Sequence, residues 1–156
     1  MRHFLAAFPA LALAGCAFTS SPADDLQFKA PAGWQSSPGI MGFMQFWRPA
    51  NSDQEVLMLF KSPKPLKPSD VFTSNDLQGS IKNVKVERTA TIQICGSQPA
   101  TLFQAQGTSS KGGEDSVDMV MSDTGGKTYF ALYVRPVGGQ SNAQALSALR
   151  ELCAKI

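Results

Sequence analysis

Apolar residues recur along this chain in two distinct ways. Leu26, Phe28 and Ala30 alternate with Gln27 and Lys29, the period of a strand with one wet face. In "EVLMLF" (55–60) and "YFALYV" (129–134) both alternating sets are apolar, which predicts strands covered on two sides. "GIMGFMQFW" (39–47) behaves alike, with Met41, Phe43 and Trp47 on one side and Ile40, Met44 and Phe46 on the other. Downstream, "VKVERTATIQI", "PATLFQAQ" and "DSVDMVM" supply further strands, and Gly112-Gly113 and Gly125-Gly126 mark tight turns.

Helical spacing is confined to two stretches. Ser141 with Gln144 makes a capping-box start, followed by Leu146, Leu149, Cys153 and Ile156 on one face. A weaker helix is expected after Pro68, with Ser69 as N-cap and Val71, Leu77 and Ile81 as its stripe; Gly79 costs it about 1 kcal/mol relative to Ala. "KSPKPLKP" before it predicts an extended, exposed segment, kept soluble by lysines or touching anionic headgroups or an acidic partner. The order is three strands, a helix, four strands and a helix, with no internal repeat. It predicts an α+β fold, an antiparallel-rich sheet with helices on its faces.

Composition narrows the class. At 156 residues, with 43% hydrophobic and 17% charged positions, the chain fits one globular domain. A net charge of +2, with no clustering of basic and aromatic residues, excludes a nucleic-acid binder. The lone histidine, His3, precedes the apolar run Phe4–Leu13. If that run is removed, chemistry that needs imidazole goes with it.

A run of ten residues, apolar apart from Pro9, is too short to cross a hydrocarbon core of about 30 Å, and with the positive start it matches a secretory signal. "LAGC", Leu13 to Cys16, resembles the lipobox of bacterial lipoproteins. The resemblance implies a signal peptide over 1–15 and acyl chains on Cys16 that hold the mature chain to a membrane. In that family Asp after the cysteine retains a lipoprotein at the inner membrane, so by the same resemblance Ala17 implies the outer membrane, periplasmic side, within the cell envelope. Residues 16–25 are then the lipidated start and a tether, and 26–156 the single folded domain. Cys95 and Cys153 remain for one disulfide between the sheet and the last helix; no C-x-x-C spacing points to redox work.

"FKAPAGW", the apolar hairpin after it, the mid-chain helix, the antiparallel run and the closing helix resemble the PsbP-like α/β/α sandwich. The resemblance covers Leu26 to Ile156 and implies a module that binds proteins, with an envelope protein as partner, rather than an enzyme. No functional residue transfers from it, and no cofactor or metal is implied.

Candidate chemistry is sparse. "DTGGKT" (123–128) fails as a phosphate loop, because Met121 stands where the first glycine belongs and a strand follows the lysine. As an Asp-Thr-Gly triplet, Asp123 needs a second carboxylate to share a proton, hence a dimer. This aspartic-protease-like hydrolase is the enzymatic alternative; the competing expectation is a hairpin turn. Glu114, Asp115 and Asp118 do not match a calcium loop and predict a solvated face. Trp34, Phe43 and Trp47 would line an apolar groove if helices leave part of a sheet face open, giving a binding site or a carrier of an apolar ligand.

Overall fold

The computed structural model describes residues 21–39, 42–71, 76–77 and 81–155. Its centre is one antiparallel sheet of eight strands: β1 Trp34–Pro38, β2 Met44–Pro49, β3 Val56–Ser62, β4 Asp76–Leu77, β5 Ile81–Ile94, β6 Gln98–Ser109, β7 Glu114–Thr124 and β8 Lys127–Pro136. Their spatial order is β1-β2-β3-β8-β7-β6-β5-β4. The chain builds one edge, crosses to the other after β3, and returns strand by strand until β8 closes against β3. Leu57 lies opposite Tyr133 and Phe60 opposite Phe130 in that central pair.

The doubly apolar strands occupy the middle because only there are both faces covered. Leu57, Leu59, Ala131, Tyr133 and Val120 belong to one core; Met58, Phe60, Phe130, Leu132 and Met119 belong to the other. Residues 22–30 and 143–153 cover the first face, with Leu26, Phe28, Ala145 and Leu152 packed into its core. Leu66 and Val71, from the crossover between β3 and β4, pack against the second core.

Local chemistry fixes the turns and edges. Gly125 and Gly126 have φ of 60° and 74°, as a two-residue primed turn requires between Thr124 and Lys127. β5 lies near an edge and is interrupted by register shifts at Lys82/Lys85 and Val86/Arg88, with Asn83 at φ 52°. Such bulges and its exposed lysines hinder pairing with another chain.

Several elements depart from the sequence pattern. Leu26–Ala30 is not a strand: Leu26 makes a single bridge to Ala154, and the rest is irregular. The alternation there is satisfied by inserting Leu26 and Phe28 into the core, worth roughly 2 kcal/mol per side chain. The first strand is instead Trp34–Pro38, and packed structure begins before the expected boundary at Leu26. Pro22–Asp25 forms a 3-10 turn with Pro22 buried, so residues 21–25 are not free tether.

The helical cover is also thinner than expected. α1 is Pro68–Val71 only, and Asp76–Leu77 pairs with Ile81–Lys82 as strand instead of continuing a helix to Ile81. The last helix, α2, is Ala143–Ala148. Its N-cap is Asn142 rather than Ser141: the Asn142 side chain accepts from the Gln144 and Ala145 amides. Cys153 lies beyond it, and Ile156 falls outside the described residues.

Candidate binding surface

Cys95 follows β5 in a left-handed conformation (φ 48°) and is joined to Cys153, with the two Cα atoms 6.4 Å apart. Backbone bonds flank the bridge: the Cys95 amide donates to Arg150 oxygen, and the Gln27 amide to Cys153 oxygen. The disulfide and the N-terminal segment therefore hold the chain end to one end of the sheet.

Trp34, Phe43 and Trp47 do not form one groove. Trp47 is 6% exposed, inside the first core against the Phe28 ring at 4.9 Å. Trp34 is half-buried on the same face, 6.3 Å from Tyr133. Phe43, 47% exposed, stands at the end of the sheet beside the second face. The cause is the turn before β2: Phe43 precedes the paired strand, which starts at Met44, so strand alternation does not govern its direction.

An open apolar cavity of 380 Å³ lies beside Phe43, walled by Met44, Phe60, Phe130, Pro63 and Leu66. Phe60 and Phe130 stack at 4.7 Å and form its floor. The wall containing Pro63 and Leu66 is the proline-lysine segment, which is exposed at Lys64 and Lys67. Its hold on the sheet is specific: the Leu66 amide donates to Thr128 Oγ1 at 2.9 Å, and that hydroxyl donates to Asp123 Oδ1 at 2.6 Å.

Asp123 is exposed in the β7–β8 hairpin, opposite Thr128. The 540 Å³ cavity next to it is bounded by Leu66, Thr91, Gln98 and Met121, and Asp123 is its single carboxylate among the described residues. Within its own chain Asp123 thus meets a hydroxyl donor, and the facing carboxylate of an aspartic-protease pair would have to come from a second copy. The carboxylates of β7 are likewise separated. Asp118 is buried and accepts from Gln104 Nε2 at 2.9 Å and from Arg135 Nη1 at 2.5 Å. Glu114 is exposed, and Asp115 lines a 430 Å³ cavity at the far end of the sheet with Arg48, Asp53 and Lys111. Burial raises the Asp115 pKa above its ordinary value, partly offset by a Ser109 bond. No group of three or more His, Cys, Asp or Glu among the described residues is placed to hold a metal.

The sequence pattern carried no signal for a second ionic site. Asp25 accepts from Lys61 Nζ at 2.5 Å and from Tyr129 Oη at 3.1 Å. The Lys61 bond holds its carboxyl below the usual range against the opposing effect of burial. Burial, then the Asp25 bond, pushes the Tyr129 phenol up to about 12. These residues lie 36 and 104 positions apart, so no local spacing reports them.

Comparison with solved structures places this architecture. A protein of Bacteroides thetaiotaomicron matches with a TM-score of 0.58 at 14% identity, over 89% of this chain and 48% of that one. This chain thus spans about half the length of that protein. Cyanobacterial PsbP (CyanoP) of Synechocystis sp. matches with a TM-score of 0.53 at 19% identity, over 85% of this chain and 86% of its own. No protein-family model and no curated protein matches the sequence. The fold is PsbP-like: a mostly antiparallel sheet of the α+β sandwich class.

Proposed function

We propose that this chain is a lipid-anchored envelope protein whose domain is a non-catalytic binding or assembly module. Acyl chains on Cys16 hold it at a membrane, the outer membrane on its periplasmic side, and the domain engages a protein of the envelope. The observation that carries the non-catalytic reading is the state of the buried and paired carboxylates. Asp118 is bound by Arg135 and Gln104, Asp25 by Lys61 and Tyr129, and Asp123 by Thr128, so each serves packing of the sheet or its turns. The likeness to PsbP-like structures supports the same reading. The surface left for a partner includes the polar cavity of Arg48, Asp53 and Lys111.

The test is crosslinking of the full-length chain in its own membranes, followed by mass spectrometry of what co-purifies. A reproducible envelope protein is the expected product. A properly anchored sample that yields no partner would overturn the binding-module reading.

A further inference from the structure

We propose that the end of the sheet bearing Phe43 faces the bilayer and that the Phe43 ring enters the headgroup region. This orientation rests on acylation of Cys16. The Ser21 hydroxyl bonds the Gln45 side chain near the start of β2, so the described chain begins at the Phe43 end. Cys16 is five positions earlier, a reach of at most about 18 Å for fully extended chain. β6, Gln98–Ser109, runs from this end to the other over about 40 Å. An anchor with less than half that reach keeps the Ser21 end close to the lipid.

That end has the chemistry of an interfacial contact. Phe43, Val86 and Val137 are the large apolar residues exposed among those described, and Phe43 alone of them lies next to β2, whose Gln45 bonds the Ser21 side chain. Its ring opens onto the apolar cavity walled by Pro63 and Leu66, and Lys64 and Lys67 are exposed on the same segment. Of the acids nearby, Asp25 is paired with the Lys61 cation, while Asp24 accepts from the Ser21 amide, Asp70 from the Lys67 amide and Asp123 from the Thr128 hydroxyl. An apolar ring beside exposed lysines suits an anionic lipid surface, where rings sit at headgroup level and basic side chains meet phosphate. The opposite end, with Asp53 and Lys111, is then presented away from the membrane.

The test uses the full-length acylated chain with its disulfide intact, so that an added cysteine is the one free thiol. Phe43→Cys and, at the far end, Asn51→Cys are spin-labelled and the protein is reconstituted in vesicles of phosphatidylethanolamine with phosphatidylglycerol. Power saturation then reads collisions with oxygen, which partitions into lipid, against a water-soluble nickel chelate. The oxygen-to-nickel ratio is expected to be several-fold higher at position 43 than at position 51. Vesicle-bound protein with equal ratios at the two positions would overturn the orientation. Protein that fails to float with the vesicles would instead refute the acyl anchor, and this orientation with it.

Discussion

Reducing the Cys95–Cys153 bridge should lower the stability of the domain by about 4 kcal/mol. The bridge spans 58 positions, and chain-entropy loss grows with the logarithm of that loop, which yields this figure at 25 °C. The structure says where the loss would be felt. Cys153 and Leu152 are buried in the first core, and Ala154 bridges to Leu26, so the terminal segment is the lid over that face. Freed from Cys95, it keeps its packing but no longer restricts the unfolded chain. The assay is urea unfolding of the oxidised chain, the reduced chain and Cys95→Ala, followed by tryptophan fluorescence, since Trp47 lies in that core. Cys95 is exposed, so the substitution adds little packing loss of its own. Reduced chain and variant should share one lowered midpoint. Oxidised and reduced chains with coincident curves would refute the staple, as would two free thiols on titration of the unfolded, unreduced protein.

Other perturbations follow from the ionic sites and the strand contacts. Arg135→Met leaves Asp118 buried without its cation and should cost about 3 kcal/mol in urea unfolding, with part recovered in the double variant with Asp118→Leu; equal losses would show that the pair is uncoupled. Tyr129 has its pKa raised from 10.0 to about 12, so its contribution is complete below pH 10 and is lost as pH rises to about 12. Tyr129→Phe should remove that alkaline component, and unchanged alkaline slopes would refute the raised phenol pKa. Asp25 has its pKa lowered from 3.8, so its contribution is full above that pH and fades as pH falls through the lowered value; Asp25→Asn should flatten the acid limb of a stability profile. Gly107→Ala would drive a Cβ into Ile81 Cγ2 and to 2.9 Å from the Lys82 carbonyl oxygen, a cost of about 1–3 kcal/mol by thermal or urea unfolding. Wild-type stability there would show that β5 yields freely.

The residues of the sheet's centre were legible without the structure. Doubly apolar runs at 57–60 and 129–134 predicted burial on two faces, and paired glycines at 125–126 placed a hairpin turn, because both signals are local and set by backbone sterics and side-chain period. Local pattern failed where a segment had a tertiary alternative. Leu26 and Phe28 alternate like a strand, yet they reach the core without a ladder, since a core accepts side chains whatever the backbone bonds to. Asp76–Leu77 joined β5 because the edge of the sheet offered partners for its amides that an isolated weak helix does not supply.

The candidate surface divided in the same way. Phe43 and Trp47 looked equivalent in sequence, but one stands in a turn and the other in a paired strand, and only the sheet register assigns their sides. The ties of Asp25 to Lys61 and of Asp118 to Arg135 are likewise products of topology. They bring together charges far apart in the chain, and burial makes each partner necessary to the other. Composition and spacing determined that this chain has a two-faced antiparallel sheet and one cysteine pair within its folded part. Only the tertiary structure decided which aromatic is left exposed and which carboxylates are occupied, because both depend on what packs opposite rather than on what comes next.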